Sequence, residues 1–554
     1  MPAASSPSQS TSSPRSRATA PVRAAAVLSL LYFLSRFVGL FQAALITALL
    51  PPYAADAYKR AFLIPDLLNY MVAGGALSLT FIPTFSGLWD KGKEAQAWRF
   101  FSSLASLMSV VLIGVTLVLM VFAPALVART NPEIAVKGKE AVFDLTVNMT
   151  RVMLPAQLFF YLGGLLVALL NTFKRFSASG WTGTVYNLTA MLVAIPMWYG
   201  SGQQQPLSFA IGILVGAFVG VFLLPYLALQ WGPRAHRLRF GFRLDASNPA
   251  VRRFFKLAVP IMLGVSFPVV DMKIVQYFTP GTQGYFAQID NANRLMIAAQ
   301  ALVGQAAAVA ALPFLSSTVA QGDFRAFSEF LRTGLRRLLF ITLPFSVLLI
   351  LLSHPIVSLV YGWGQFNQPT SILHAAQCFA FFSVGLFAWG AQGLVARGFY
   401  ALGDTRTPTI YGTILTLLFI ALCALLKRAG LDGGELLSAF ALATTVGAAG
   451  QFVGLLILLD RRLRGRRFGA PLDLNRIAGT LARTFVVCFL MGVAGLCALL
   501  LGEEVLGASK GEQFALSVWT SAVSLFVFVA AANRFEIPEW LWLRGKFTGR
   551  GARS

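Results

Sequence analysis

The sequence predicts an all-α integral membrane protein with about fourteen transmembrane helices, and two observations lead to this fold class. First, 56% of the 554 residues are hydrophobic and only 12% are charged, with a mean hydropathy of +0.69. Soluble domains average about 45–50% apolar and about 25% charged residues. Second, the apolar residues form runs of roughly 20, the length that crosses a bilayer. The composition therefore excludes a soluble globular enzyme.

The predicted spans follow from these runs, and the charged residues between them give an independent test. The spans are 24–50, 60–88, 100–128, 143–171, 181–200, 206–230, 254–279, 284–317, 333–353, 371–396, 409–427, 436–459, 477–501 and 513–533. Of the Lys and Arg residues in the loops and tails, 32 lie on one side of the predicted membrane and 8 on the other. Because cytoplasmic loops are enriched in Lys and Arg, both termini are expected in the cytoplasm. The net charge of +23 therefore reflects membrane topology and does not predict nucleic-acid binding.

An internal duplication predicts the domain organisation. The stretch FIPTFSGLWDKGKEAQAWRFFSSL from Phe81 resembles ALPFLSSTVAQGDFRAFSEFLRTGL from Ala311, and Pro83 matches Pro313. Each copy holds six helices, an even number, so the two lobes have the same orientation, as in alternating-access transporters. The predicted parts are a disordered cytoplasmic tail at 1–23, a six-helix lobe at 24–230, a basic cytoplasmic linker at 231–253, a second six-helix lobe at 254–459, a basic loop at 460–476, two extra helices at 477–533 and a cytoplasmic tail at 534–554.

Motifs of catalytic and cofactor sites are absent from the sequence. It contains no G-x-x-x-x-G-K-[ST] phosphate loop, no H-E-x-x-H metal motif and no G-x-S-x-G nucleophile motif. We therefore expect a transporter that is not an enzyme and that needs no cofactor or metal. Without an ATP site, transport would draw on an ion gradient, the membrane potential or downhill flow of the substrate.

Ionisable residues inside the predicted spans are the candidate functional groups, because a charge at the centre of a bilayer costs about 2.5–3.5 kcal/mol on insertion scales. They are Arg36, Asp66, Arg151, Asp271, Lys273, Asp290 and Arg294. Arg36 is followed on its own helix face by Gly39 and Ala43, which would leave room for a polyanionic headgroup beside the guanidinium. Arginine binds phosphate in a bidentate manner. The alternative for Arg36 is an internal ion pair that fixes packing.

Two further pairs stay open between structural and functional roles. Asp290 and Arg294 stand four residues apart with the acid first, the favourable order for an ion pair along one helix, which would lower the cost of burying Arg294. Asp271 and Lys273 are two residues apart and point to different faces, so at least one of them needs another partner. For Asp271 we favour an ion pair with a neighbouring helix over a monovalent cation.

Several segments resemble the MurJ/MviN family of lipid II flippases, which belongs to the multidrug/oligosaccharidyl-lipid/polysaccharide exporter superfamily. The segments are SRFVGL, ADAYKRAFLIPDLL, AGGALSLTFIPTFS, NANRLMIAAQALVGQAAAVAALPFLS and VARGFYALGDTRTPT. The resemblance implies a protein of the bacterial cytoplasmic (inner) membrane that moves undecaprenyl-pyrophosphate-linked peptidoglycan precursor from the inner to the outer leaflet. It also implies that the last two helices help to accommodate the polyprenyl tail.

The resemblance assigns substrate-binding roles to three charged residues. Arg36 matches the arginine of the family's S-R-x-x-G, and Asp56 matches the aspartate of its D-A-F segment. Arg294 matches the arginine of A-D-R-L. These three residues are therefore expected to bind the substrate, with Arg36 and Arg294 holding its phosphates.

Other charged positions of the family pattern carry different residues in this chain. The replacements are Gln42, Ala43, Asn69 and Gly74. We keep Gln42 and Asn69 as candidate contacts to the headgroup. Lys59, Arg60 and Arg151 are candidates to restore positive charge near the cavity.

The replaced charges leave alternatives to lipid II transport. The chain is a flippase for another lipid-linked glycan, or a non-transporting membrane scaffold, if the altered positions no longer suit the pyrophosphate. A cation-coupled drug exporter is a further alternative within the superfamily. The expected partners are a lipid-linked glycan and membrane lipids, with a monovalent cation as the alternative to the ion pair at Asp271, and the protein is expected to be monomeric.

Overall fold

The structure is a computed structural model, and every regular element that it describes is helical. It describes residues 14–73, 80–200, 205–233, 236–263, 267–281, 284–303, 305–431, 433–465, 468–505 and 509–547. The first helices are α1 (Pro14–Leu49), α2 (Pro52–Ala61), α3 (Leu63–Ala73), α4 (Ile82–Trp89), α5 (Glu94–Val121), α6 (Ala123–Thr130), α7 (Glu140–Met153), α8 (Ala156–Thr172), α9 (Phe176–Gly200), α10 (Leu207–Gly216), a π-helical segment (Ala217–Leu223) and α11 (Leu224–Gln230). They are followed by α12 (Pro249–Leu263), α13 (Phe267–Phe278), α14 (Tyr285–Val303), α15 (Gln305–Ala320), α16 (Phe324–Leu351), α17 (Ser353–Tyr361), a 3₁₀ turn (Gly364–Phe366), α18 (Pro369–Val384), α19 (Leu386–Ala401), α20 (Arg406–Arg428), α21 (Gly433–Arg464), α22 (Leu474–Val505), α23 (Lys510–Arg534) and α24 (Pro538–Phe547).

Within the described residues, nine helical stretches are long and apolar enough to cross a membrane. They are Leu31–Leu49, Glu94–Val121, Glu140–Thr172, Leu207–Gln230, Phe324–Leu351, Arg406–Arg428, Gly433–Arg464, Leu474–Gly502 and Lys510–Arg534. A tenth candidate is the pair α18 and α19, a span bent by 42°. The other predicted spans fall on α2 to α4, on α9, on α12 with α13 and on α14 with α15. The all-α membrane fold is confirmed, whereas the count of fourteen spans stays a prediction.

The N-terminal segment differs from the expectation of a disordered tail over 1–23. The first helix, α1, begins at Pro14, so residues 14–23 are helical. Proline is tolerated in a first helical turn, and the alanines and arginines that follow are good helix formers. Residues 1–13, like the replaced position Gly74, lie outside the described residues.

The chain forms two compact units, each assembled from separate segments. Unit 1 consists of the chain up to Gly39, Pro65–Met120 and Val152–Met262. Unit 2 consists of Leu40–Ile64, Val121–Arg151 and the chain from Leu263 onward. Unit 2 therefore contains two segments of the first predicted lobe together with most of the second. The lobe boundaries themselves stay a prediction.

Two glycines of unit 1 permit close helix packing around the π-helical segment. A Cβ atom at Gly163 of α8 would overlap the backbone carbonyl of Val221. A Cβ atom at Gly220 would overlap the backbone of Tyr186 on α9. The backbones of α8 and α9 therefore lie directly against the segment Ala217–Leu223.

In unit 2, the last helix, α24, is fastened to α16. Arg336 Nη2 lies 2.7 Å from Oε1 of the buried Glu539. The neighbouring guanidinium of Arg337 lies over the ring of Trp542, 3.9 Å from its centroid. An apolar cluster that includes Phe340 and Phe528 packs beside these contacts. The ion pair and the stacked arginine fix α24 to the helix that it covers.

Replacing Gly163 by leucine is expected to lower the midpoint of thermal unfolding of the purified protein, because overpacking typically costs about 1–3 kcal/mol. Gly114 on α5 is the matched control, since no atom lies within 4 Å of the position that its Cβ would take. The midpoint of both variants is measured by heating samples to a series of temperatures and following the loss of the monodisperse peak on size-exclusion chromatography. Equal midpoints for Gly163→Leu and Gly114→Leu would contradict the close packing of α8.

Candidate functional site

The candidate site is a group of charged and polar side chains on two helices of unit 2. We call it the ionic cluster; it consists of Asp56, Lys59 and Arg60 on α2 and of Asp290, Asn291 and Arg294 on α14. The α2 helix begins at Pro52, and proline is favourable at this first position because its missing amide hydrogen would have no partner within the helix. Its residues from Ala54 to Ala61 are all buried. A buried helix with three charged residues is stable only where the surrounding protein pairs those charges.

Lys59 joins α2 to α14. Its Nζ lies 2.5 Å from Asp290 Oδ2 and donates a second hydrogen bond, of 2.6 Å, to Asn291 Oδ1. The Lys59 side chain is only 4% exposed. Thr47 on α1 contacts the same Asn291 amide at 3.4–3.5 Å. The ammonium group has therefore exchanged its hydration for one carboxylate and one amide oxygen, which offsets the cost of burying it.

Asp290 is shared between two cations. Besides Lys59, its Oδ2 accepts a hydrogen bond of 2.8 Å from Arg294 Nε, one helical turn further along α14. The Arg294 side chain is 44% exposed, in contrast to the buried Lys59. Two positive groups thus face one carboxylate, and the accessible one is a guanidinium. A guanidinium in this position is suited to bind an additional anion, such as a phosphate group.

Arg60 is fully buried and binds the carboxyl end of α13. Its Nη1 donates to the backbone oxygen of Gln276 at 3.1 Å and to Asn131 Oδ1 at 3.3 Å. Its Nη2 donates to the backbone oxygens of Thr279 and Pro280 at 3.0 and 3.1 Å. The last carbonyl groups of a helix carry partial negative charge and have no partner within the helix. Arg60 supplies both the hydrogen bonds and the opposite charge at this end of α13.

Asp56 has the complementary role at the amino end of α14. Its Oδ1 accepts a hydrogen bond of 2.9 Å from the backbone amide of Ala287, in the first turn of α14. Its Oδ2 lies 3.5 Å from Arg60 Nε. A carboxylate is favourable at the amino end of a helix, where amide groups lack partners. The α2 helix thus places an acid at the start of one helix and a base at the end of another.

The loop after α6 adds a third segment of the first predicted lobe to this region. Asn131, at the end of α6, accepts hydrogen bonds from Arg60 and from Gln276 Nε2, the latter at 2.9 Å. Two residues further on, Glu133 lies 3.4 Å from Lys427 at the end of α20. These contacts connect residues 121–151 to the second lobe within unit 2.

Arg36 lies in unit 1, and the open space expected beside it is absent at Gly39. Arg36 is exposed on α1. A Cβ atom at Gly39 would lie 3.1 Å from Asn187 Nδ2, and the same amide donates to the backbone oxygen of Ser35 at 3.1 Å. Ala43, the other small residue on that face, is buried. The expectation of room on this face was wrong at Gly39, since the glycine serves packing of α1 against α9.

The remaining predicted site residues are dispersed. Asn69 is half-buried on α3 in unit 1, whereas Gln42 on α1 is buried in unit 2. Arg151 is half-buried at the end of α7. Asp271 is buried on α13, and its Oδ1 accepts a hydrogen bond of 2.6 Å from the next backbone amide; Lys273 nearby is half-buried. No group of His, Cys, Asp and Glu among the described residues is arranged to hold a metal ion.

Sequence reasoning identified part of the ionic cluster. It found the pair of Asp290 and Arg294 from their spacing, but it did not predict the pairing of Lys59 with Asp290, which lies 231 residues away. The available signal was the sequence of α2, in which three charged residues fall within five positions of an otherwise apolar stretch.

Solved structures of membrane transporters share this fold. "Lipid II flippase MurJ, inward closed conformation" superimposes with a TM-score of 0.70 and 21% identity, covering 92% of this chain and 99% of that one. An inward-facing multidrug resistance MATE family transporter of the MOP superfamily superimposes with a TM-score of 0.62 and 13% identity, over 79% of this chain and 96% of its own.

Curated relatives and a family model extend the comparison to sequence. The "Probable lipid II flippase MurJ" of Rickettsia prowazekii is 25% identical over 423 residues, 76% of this chain and 81% of the relative. The "Lipid II flippase MurJ" of Burkholderia cenocepacia is 28% identical over 391 residues, 70% of this chain and 74% of the relative. The family model described as "Lipid II flippase MurJ" matches residues 38–534. A match over this much of the chain means that the protein is a multi-pass membrane protein that belongs to the MurJ family.

Proposed function

We propose that the protein is a lipid II flippase of the bacterial inner membrane, which moves undecaprenyl-pyrophosphate-linked peptidoglycan precursor from the inner to the outer leaflet. The observation that carries the proposal is the family match over residues 38–534. The likeness to solved transporter folds supports it. In this role the protein moves its substrate without changing it chemically, so we infer that it has no enzymatic activity.

We infer an alternating-access cycle in which the ionic cluster is the outer gate. Lys59, Asn131 and Pro280, which belong to the cluster or bond to it, fall in the predicted loops 51–59, 129–142 and 280–283, on the side that is poor in Lys and Arg. That side is the outer one when both termini are cytoplasmic. With the cluster formed, α2 from the first lobe is tied to α13 and α14 from the second. The outer side is then closed, which corresponds to the state that receives substrate from the cytoplasmic leaflet.

Arg294 is the proposed link between the substrate and this gate. Its guanidinium is accessible and is paired with the carboxylate of Asp290, which is also paired with Lys59. A pyrophosphate that binds Arg294 competes with Asp290 for the same donor groups. Binding of the headgroup therefore weakens one of the two bonds on Asp290. That bond lies within α14, so the headgroup acts on the contact between α2 and α14 only through the charge on Asp290 that Lys59 faces.

The other predicted contacts complete the proposal. We propose that Arg36, Gln42, Asn69 and Arg151 bind the headgroup, and that Asp56, whose carboxylate is bonded to Ala287 and Arg60, belongs to the substrate site as part of the ionic cluster. Asp271 and Lys273 are proposed to form an ion pair with a neighbouring helix or to hold a monovalent cation. The protein is proposed to act as a monomer.

Cells depleted of their own flippase provide the functional test. Expression of this chain is expected to restore lipid II exposure on the outer leaflet, measured with an externally added lipid II-specific probe. Arg294→Lys should reduce exposure roughly tenfold, because a lysine keeps the charge but loses bidentate bonding to phosphate. The matched control is Arg428→Lys, on an exposed arginine at the end of α20.

Membrane levels of the three proteins must be equal in this experiment. Full exposure with Arg294→Lys would remove the proposed role of that residue. No exposure from a well-inserted parent chain would contradict lipid II as the substrate.

The gate is tested by labelling a buried position on α2 from outside the cell. The reporter is Ala55→Cys in a chain whose native cysteines are replaced. Ala55 is only 4% exposed, so the new cysteine should react slowly with a membrane-impermeant maleimide. Adding Lys59→Met should accelerate labelling roughly tenfold or more, because methionine removes the ion pair between α2 and α14 and leaves Asp290 paired only with Arg294 of its own helix. The control is Lys137→Met, on an exposed lysine of the loop after α6. Equal labelling rates in the two backgrounds would exclude Lys59 from the gate.

A further inference from the structure

A short segment of the basic linker alternates positive and apolar side chains. Residues 237–244, which we call the strap, read Arg-Leu-Arg-Phe-Gly-Phe-Arg-Leu and contain no helix. The arginines of the strap are exposed, and so are its two phenylalanines and its last leucine. Exposed apolar side chains between arginines are unusual in a loop that faces water on all sides, but they are typical of the membrane interface.

The strap is held along α5 by backbone hydrogen bonds to serine hydroxyls. The amide of Gly241 donates to Ser102 Oγ at 3.2 Å, and the amide of Arg243 donates to Ser106 Oγ at 3.1 Å. The Ser102 hydroxyl donates in turn to the backbone oxygen of Arg239 at 3.5 Å. The backbone of the strap is thus fixed to one turn of α5, and its side chains are presented outward.

The position of these serines sets the depth of the strap in the bilayer. Arg99 is the last charged residue of α5, and the helix continues without a charge to Val121. The hydrocarbon core takes roughly 20 helical residues. The stretch from Ser102 to Val121 therefore fits the core, and Ser102 lies at its boundary. With the core placed in this way, the strap is expected at the level where lipid headgroups meet acyl chains.

Behind the strap is an apolar cavity of about 340 Å³. Its walls include Phe101 of α5, Leu166 of α8 and Tyr226 of α11, and Leu238 and Phe240 of the strap form its edge. The volume lies within the range of roughly 300–1,000 Å³ that is usual for ligand sites in proteins. A largely apolar cavity lined in part by Leu238 and Phe240, which alternate along the chain with three exposed arginines, fits a molecule with an acyl chain and a negative headgroup.

We propose that the strap and this cavity bind one anionic phospholipid of the leaflet on the basic side of the protein. The arginines at 237, 239 and 243 bind the headgroup phosphate, since the guanidinium forms bidentate bonds to phosphate oxygens. Part of one acyl chain occupies the cavity, and Phe242 lies among neighbouring chains. The site lies wholly within unit 1, so the proposal does not depend on the identity of the transported substrate.

Native mass spectrometry of the delipidated full chain tests the proposal. The protein in non-ionic detergent is titrated with dioleoyl phosphatidylglycerol and, separately, with dioleoyl phosphatidylcholine. The parent is expected to bind one phosphatidylglycerol more tightly than phosphatidylcholine. The double variant Arg239→Gln/Arg243→Gln should bind phosphatidylglycerol roughly tenfold more weakly, because each basic residue near a charged lipid surface contributes appreciably to binding.

The matched control is Lys91→Gln/Lys93→Gln, which removes the same charge from the exposed turn before α5. It should bind phosphatidylglycerol as the parent does. Equal loss in both double variants would mean a non-specific charge effect and would overturn the proposal. Unchanged binding in the strap variant, or equal binding of the two lipids by the parent, would also overturn it.

Ala105→Met tests the cavity separately, because the longer side chain fills the space without changing any charge. Ala105 is buried and lines the cavity. This variant should no longer bind phosphatidylglycerol tightly, while its midpoint of thermal unfolding stays near that of the parent. Retained tight binding would exclude the cavity as the acyl-chain site. Should Ala105→Met fail to fold, the charge variants decide the proposal alone.

Discussion

The structure of unit 2 depends on one electrostatic constraint: the charged residues of α2 are taken out of water and must be paired by protein groups. Lys59 pairs with Asp290 and donates to Asn291, and Arg60 donates hydrogen bonds to four oxygen atoms around the end of α13. Asp56 accepts a hydrogen bond from the amide of Ala287 in the first turn of α14. These partners come from segments distant in sequence. The position of α2 against α13 and α14 is therefore defined by bonds that only one arrangement satisfies, as expected for buried charges.

A polar contact of this kind is well suited to the proposed outer gate, in which the cluster would separate and re-form in every cycle. Separating apolar surfaces exposes them to water at a cost of about 25 cal/mol per Å². Charged groups that separate into water regain their hydration, so much of the energy of their mutual attraction is recovered. The closed state is specific because a lone buried charge is costly. The open state is accessible because water replaces the partners of Lys59 and Asp290.

The sequence was sufficient for the fold class, because the apolar runs and the uneven distribution of Lys and Arg are local properties. It was sufficient for the pair of Asp290 and Arg294 as well, since their spacing of four is visible along one helix. The pairing of Lys59 with Asp290 depends on tertiary packing and leaves no trace in local spacing. The small residues after Arg36 show the same limit: Gly39 was interpreted as free space, but its neighbour Asn187 comes from another helix. The number of spans is hardest to predict from sequence where a helix is interrupted, as in the span formed by α18 and α19, which is bent by 42°.

The attachment of α24 to α16 has a consequence for biosynthesis. Arg336 is translated long before Glu539, its partner in the folded protein. At about 5–20 residues per second, the ribosome needs roughly ten to forty seconds to produce the intervening chain. During that interval Arg336 has only polar groups such as Thr480, synthesised on the way, to satisfy its guanidinium. The contact that completes α16 therefore forms among the last in the described chain. A nascent protein in the membrane therefore presents Arg336 without its carboxylate partner until its synthesis is almost finished.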